Sequence, residues 1–243
     1  MMILFIHGVP DTSFMWTPLI AALGLKDSDY IAPTMPGFDG SAHGAFPATQ
    51  AAYVDWATDL VTETVAAHGP LHIVGHDWGA PISAQAALNR PEAIKTWTVI
   101  NAAPEPSFDW HKMARIWQTP LLGELAMAFG GPKAFEKELV SVGMPRDIAA
   151  HEVQQIDGHM KRAVLRLYRS AKDTSQWSMD FSPIAPRGLI LWGDDDPYVP
   201  TKYARRFSER WGLPLKIEEG VGHWGLCERP DAFAAHLKAH WSN

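Results

Sequence analysis

Glycine stands two residues to either side of an aspartate in Gly75-His76-Asp77-Trp78-Gly79, and the apolar run Leu71-His72-Ile73-Val74 leads into it. A Gly-x-nucleophile-x-Gly turn from strand to helix needs this spacing, because the bend leaves no room for neighbouring side chains and holds the corner residue in a strained conformation. The first turn of the following helix would aim unpaired N–H groups and its positive dipole end at the corner, which favours an ionised carboxylate. Asp77 therefore reads as a nucleophile. An aspartate capping a helix after a buried strand would carry the same local sequence, so this segment alone leaves both readings open.

Three further loops hold residues suited to chemistry: His7-Gly8-Val9-Pro10, Gly193-Asp194-Asp195-Asp196-Pro197 and Gly222-His223-Trp224. In a doubly wound sheet, chemistry collects outside the carboxyl ends of the strands, where these loops would lie. A carboxylate at the corner, a later acidic loop and a histidine in the last loop follow one another in the order nucleophile, acid, base. No metal site is expected. His72 and His76 lie on strand and turn without a third ligand, and His236 and His240 read as a solvated helix face.

The elements that must position these loops follow from periodicity and breakers. Strands are expected at 2–6, 30–32, 71–76, 94–100, 188–192 and 215–218, and helices at 13–24, 49–68, 80–89, 201–211 and 231–240. Their alternation implies a parallel sheet covered by helices on both faces. Between 104 and 186 the alternation stops, leaving helical stretches such as 134–140 and 148–169 broken by Gly130-Gly131-Pro132 and Gly143-Met144-Pro145. The expected organisation is an α/β core of residues 1–103 and 187–243 with a helical lid at 104–186.

Composition narrows the classes of partner. The net charge of −6 over 243 residues is mild, and no Lys/Arg block is present to track a phosphate backbone or an anionic membrane. Neither nucleic acid nor membrane is expected as a partner. The apolar N-terminus meets His7-Gly8 too soon for a signal or a span, and the single Cys227 has no internal disulfide partner, so the expected location is the cytoplasm. Most of the 11 tryptophans should be core, with a few left to line a pocket.

The pair His7-Gly8-x-Pro10 and His76-Asp77-Trp78-Gly79, in register with the two later loops, resembles the α/β-hydrolases of the epoxide hydrolase and haloalkane dehalogenase branch over nearly the whole chain. The resemblance implies an α/β-hydrolase fold lacking the one or two strands that many relatives place before the segment starting here at Met2. It implies Asp77 as nucleophile, Asp196 as the acid, with Asp194 and Asp195 as turn residues, His223 as base, and the backbone N–H groups of Val9 and Trp78 as an oxyanion hole. No cofactor or metal is implied, only a small apolar substrate and water. A carboxylate suits this branch because it is already ionised at neutral pH and can displace a leaving group from an sp³ carbon.

The leaving group decides the substrate. An epoxide needs an acid for its oxygen, in this branch typically two lid tyrosines, whereas a halide wants two N–H donors such as the Trp78 indole and a second one. Tyr168 resembles the second lid tyrosine, while near 116–120 the chain offers His111, Met113 and Trp117 in place of the first. Val9 stands where some dehalogenases place an asparagine, leaving Trp110 or Trp117 as the second halide donor. Packing alone is an alternative role for Tyr168, His111, Trp110 and Trp117. The expectation is an epoxide hydrolase, then a haloalkane dehalogenase, with a non-catalytic small-ligand-binding protein of the same fold behind both.

Overall fold

The structure is a computed structural model that describes residues 1–40, 46–129 and 131–242. Six strands form one parallel sheet: β1 (Ile3–Ile6), β2 (Tyr30–Ile31), β3 (Leu71–His76), β4 (Ile94–Ile100), β5 (Gly188–Gly193) and β6 (Leu215–Glu218), in the spatial order β2-β1-β3-β4-β5-β6. All five pairings are parallel, with Ile6 beside Gly75 and Val99 beside Ile190. The order reverses at β1, so the crevice at the carboxyl ends of β1 and β3 is the switch point at which such sheets bind ligands.

The side-chain period of two sorts each strand between two cores. Leu4, Ile6, Ile73, Ile190 and Trp192 belong to one, with α2 (Gln50–His68), α3 (Gly79–Asn89) and α9 (Lys202–Trp211) supplying Tyr53, Ile82 and Phe207. Ile3, Phe5, Val74, Leu189 and Leu191 face the other, closed by α1 (Thr17–Leu23), α10 (Gly225–Glu228) and α11 (Pro230–Trp241) through Leu19, Leu226 and Leu237. Burial on both faces is why the strands read as near-continuous apolar runs.

Between β4 and β5 the described residues form helices and turns only: α4 (Lys112–Gln118), α5 (Leu122–Phe129), α6 (Pro132–Ser141), α7 (Arg146–Gln155) and α8 (Gly158–Ser170), with a short turn at Thr174–Trp177. The single helix expected over 148–169 is two helices, because the Asp157 carboxylate caps a new start by accepting the N–H groups of His159 and Met160 at 2.8 and 2.9 Å. The helix expected at 13–24 likewise begins as a 3₁₀ turn, Ser13–Trp16, before α1 starts with Pro18 in its first turn. Among the described residues no helix is long and apolar enough to cross a membrane.

Candidate active site

The corner between β3 and α3 is built as its glycines require. Asp77 has φ +49°, a left-handed conformation that side chains rarely adopt, and its N–H is held by Ile100 O at 3.2 Å. A Cβ on Gly75 would lie 2.2 Å from Gly79 O, and one on Gly79 would lie 2.0 Å from Ile6 O. The loop after β1 passes equally close, since a Cβ on Gly8 would stand 2.4 Å from the Asp77 side chain. That approach lets the Val9 N–H donate to Asp77 Oδ1 at 2.7 Å. Trp78, whose N–H was expected to share the later oxyanion with that of Val9, lines the same cavity.

The other oxygen, Asp77 Oδ2, lies 3.4 Å from His223 Nε2. His223 Nδ1 lies 2.7 Å from Asp196 Oδ2. Asp196 takes a full set of partners: its Oδ1 accepts the N–H groups of Tyr198 and Val199 at 2.8 and 2.9 Å, and its Oδ2 also accepts from Asn101 Nδ2 at 2.8 Å. Such a set fixes both the carboxylate and the ring it orients. Burial works to lower the His223 pKa, but the adjacent charges and hydrogen bonds of Asp196 and Asp77 outweigh it and raise the value to about 10. Burial likewise works to raise the Asp77 pKa, and the hydrogen bond and charge of His223 more than offset it, leaving the carboxyl below its ordinary value. The two groups stabilise one another as an ion pair.

Backbone contacts hold the histidine loop from two sides. His76 Nε2 donates to the His223 carbonyl at 2.9 Å, and burial lowers the His76 pKa to about 3, which keeps that ring neutral. The Trp224 indole N–H bridges both oxygens of buried Asp11 at 3.1 Å. From the opposite side the His223 N–H donates to Val142 O, in the turn between α6 and α7, at 3.1 Å. That turn lies so close that a Cβ on Gly222 would stand 2.3 Å from Val142 O. His7 serves the neighbouring loop: its Nε2 accepts the Met35 N–H at 2.9 Å and its Nδ1 donates to Gly8 O at 2.8 Å.

Asp77 and His223 open into a cavity of about 350 Å³ whose walls include Trp78, Phe108, Trp110, Trp177 and Leu139. Tyr168, His111 and Trp117 line the same space, so every residue singled out from the sequence as a leaving-group donor reaches it. Burial, then the nearby charge of Asp77, pushes the Tyr168 pKa well above its ordinary value, with a hydrogen bond from the Trp78 side chain opposing. Tyr168 is thus a neutral hydroxyl. His111 Nδ1 accepts the Ala114 N–H at 3.3 Å at the start of α4, and burial lowers its pKa to about 4. The ring is then neutral with its proton on Nε2, a second uncharged donor. Trp110 stacks on Trp78 at 5.6 Å, and its indole N–H has no partner.

Several residues escaped the sequence reading. Asn101 sits at φ +50° just past β4, and beyond its bond to Asp196 its Oδ1 accepts the Gly193 N–H at 3.1 Å, tying two strand ends together. Its place directly after an apolar strand was the available signal. Tyr198 packs edge-on against His223 with ring centroids 5.2 Å apart, and Glu138 joins it at the cavity wall; neither had a spacing signal. His72, His236 and His240 each have a local partner, in Thr96 Oγ1, Glu218 Oε1 and Arg187 O.

Comparison with known proteins gives the same outline. An epoxide hydrolase of Caballeronia sordidicola is 38% identical over 96 residues, which are 38% of this chain and 28% of that protein. A dihydrolipoyllysine-residue acetyltransferase component of the acetoin cleaving system of Cupriavidus necator is 24% identical over 98% of this chain and 63% of its own length. The chain thus spans less than two thirds of these curated relatives. Among solved structures, a 2-hydroxy-6-oxo-6-phenylhexa-2,4-dienoate hydrolase from a Rhodococcus superposes with a TM-score of 0.80 at 18% identity, covering 100% of this chain and 90% of the other. An epoxide hydrolase from an endophytic Streptomyces follows at 0.75 and 20%, with 99% and 88% covered. A haloalkane dehalogenase variant from Bradyrhizobium elkanii gives 0.73 at 17%, with 99% and 88% covered. At such identities these likenesses speak for the fold alone. The model of the alpha/beta hydrolase family matches residues 3–236, and the chain belongs to that family.

Proposed function

We propose that the protein is an epoxide hydrolase acting through a covalent alkyl ester on Asp77, with residues 1–103 and 187–243 as its catalytic core and 104–186 as its cap. The observation that carries this reading is the Asp77 carboxyl itself, with Oδ1 on the Val9 N–H at 2.7 Å and Oδ2 3.4 Å from His223 Nε2, inside a largely apolar cavity. Asp77 Oδ2 attacks an epoxide carbon, the C–O bond breaks, and the oxygen takes a proton from Tyr168 or His111 Nε2–H. Esterification removes one of the two anions that hold the His223 proton, so the ring releases it to restore the donor. Neutral His223, oriented by Asp196, then takes a proton from water, and the hydroxide adds to the Asp77 carbonyl carbon. Oxygen Oδ1 carries the resulting charge against the Val9 N–H, a donor worth roughly 3–4 kcal/mol in such sites. Collapse expels the diol with Oδ2, and the site returns to carboxylate and imidazolium with no net proton exchanged. Water replaces the lost carboxyl oxygen.

The test is to trap the ester. His223→Gln incubated with an epoxide should gain the mass of one substrate molecule on the Asp77 peptide, and a single turnover of the unaltered enzyme in heavy-oxygen water should place the label in Asp77. Full turnover by Asp77→Asn without deamidation would overturn the mechanism. A haloalkane dehalogenase is the second reading, favoured by the unpartnered Trp110 indole N–H. Halide release from bromoalkanes without diol formation from epoxides would select it.

A further inference from the structure

The cavity distributes charge unevenly. Among the described residues that line it there is neither Lys nor Arg, while carboxylates stand at both ends: Asp77 on the floor and Glu138 on α6. The exposed lining residues Met113, Ala134 and Glu138 place the opening between α4 and α6. Tyr198 Oη donates to Glu138 Oε1 at 3.3 Å, which draws that carboxylate toward the loop carrying Asp196. Glu138 has no cationic partner among the described residues. The basic side chains of α4, Lys112 and Arg115, border a separate depression with Ile116 and Leu122, and Arg115 pairs with Asp109. Between floor and opening the walls are mostly rings, among them Phe108, Trp110, Trp177 and Tyr168. Their faces attract a cation and offer an anion no compensation for lost water.

We propose that Glu138 is a specificity-determining residue, selecting substrates whose end remote from the reacting carbon is a quaternary ammonium or amine and rejecting those that end in a carboxylate. The inference rests on the hydrolase reading of this cavity. A carboxylate entering here would meet Glu138 at the opening with no Lys or Arg to offset it, the one cationic group on the lining, His223, being already held by Asp77 and Asp196.

Three epoxides of matched size test it, ending in trimethylammonium, tert-butyl and carboxylate. The unaltered protein should give kcat/KM in that descending order, and added salt should compress the spread. Relative to the tert-butyl compound, Glu138→Gln should reduce the preference for the ammonium roughly two- to fivefold, the scale of one charge interaction at an exposed site. Glu138→Lys should invert the order. An ammonium-to-tert-butyl ratio unchanged in Glu138→Gln, or a preference of the unaltered protein for the carboxylate, overturns the proposal. If none of the three is turned over, the epoxide reading fails by itself. Charge selection is then read from quenching of tryptophan fluorescence by benzyltrimethylammonium and by phenylacetate. Tighter binding of the ammonium that Glu138→Gln abolishes supports the proposal, and equal binding of the two overturns it.

Discussion

Alanine in place of Gly8 puts one methyl group where the corner leaves no room. Its Cβ would stand 2.4 Å from both Cβ and Oδ1 of Asp77, whereas ordinary contact begins at 3.4 Å, so the carboxyl must move by about 1 Å. Such a shift is large against the 2.7 Å bond from the Val9 N–H and the 3.4 Å approach of His223 Nε2. A misplacement of about 1 Å costs on the order of 10² in rate, and loss of an oxyanion donor costs roughly 10²–10³. The expected result is a kcat lower by roughly 10²–10³. Overpacking of this kind destabilises by roughly 1–3 kcal/mol, or about 2–4 °C in Tm for each kcal/mol in a chain of this length. The variant should therefore still be folded at assay temperature. Steady-state diol formation, beside a melting curve, makes the measurement. A folded Gly8→Ala protein with unaltered kcat would refute the argument that the Asp77 position sets the rate.

Other outcomes follow from the same geometry. The His223 pKa rises from 6.5 to about 10 on folding, so the stability it contributes is complete below pH 6.5 and is lost as the pH climbs through about 10. Melting temperatures should fall over that window, and His223→Gln should flatten the fall. Asp77 has the opposite sign: its lowered pKa contributes stability that is lost as the pH drops below about 4. Tyr168→Phe and His111→Gln should each slow ester formation by roughly 10²–10⁴ if that side chain is the acid, as read by rapid-quench trapping, while ester hydrolysis is less affected. Asn101→Ala removes one donor from buried Asp196 and leaves the Gly193 N–H unmatched, at a cost of about 1–3 kcal/mol in denaturant unfolding.

How much of this was legible depended on how local each cause was. The Asp77 corner could be read because its spacing is local, Gly75 meeting the Gly79 carbonyl four residues on, although Gly79 itself is held to glycine by Ile6 O on the neighbouring strand. That helices cover both faces of the sheet was visible in the alternation of strand and helix along the chain. The acidic loop and the last-loop His223 came from chain order, which the parallel sheet turns into proximity, and Asp196 was picked out of that loop by the resemblance to the hydrolases. The cap was harder. Its helices are short, and where 148–169 looks continuous in apolar spacing, one capping carboxylate at Asp157 divides it. Asn101, Tyr198 and Glu138 had no signal of comparable strength. Asn101 matters because β4 lies beside β5, and Glu138 because α6 folds back over the loop after β5; both are facts of register between distant segments.

The bond from the His223 N–H to Val142 O has a mechanical reading. Residue 223 hangs from the α6–α7 turn by its amide as well as from the sheet by its carbonyl, and Gly222 exists without a side chain so that the two backbones can meet. A displacement of α6 would therefore reach the imidazole through its own amide. Under the proposed mechanism, the wall beside the opening and the base that activates water would then be strained together.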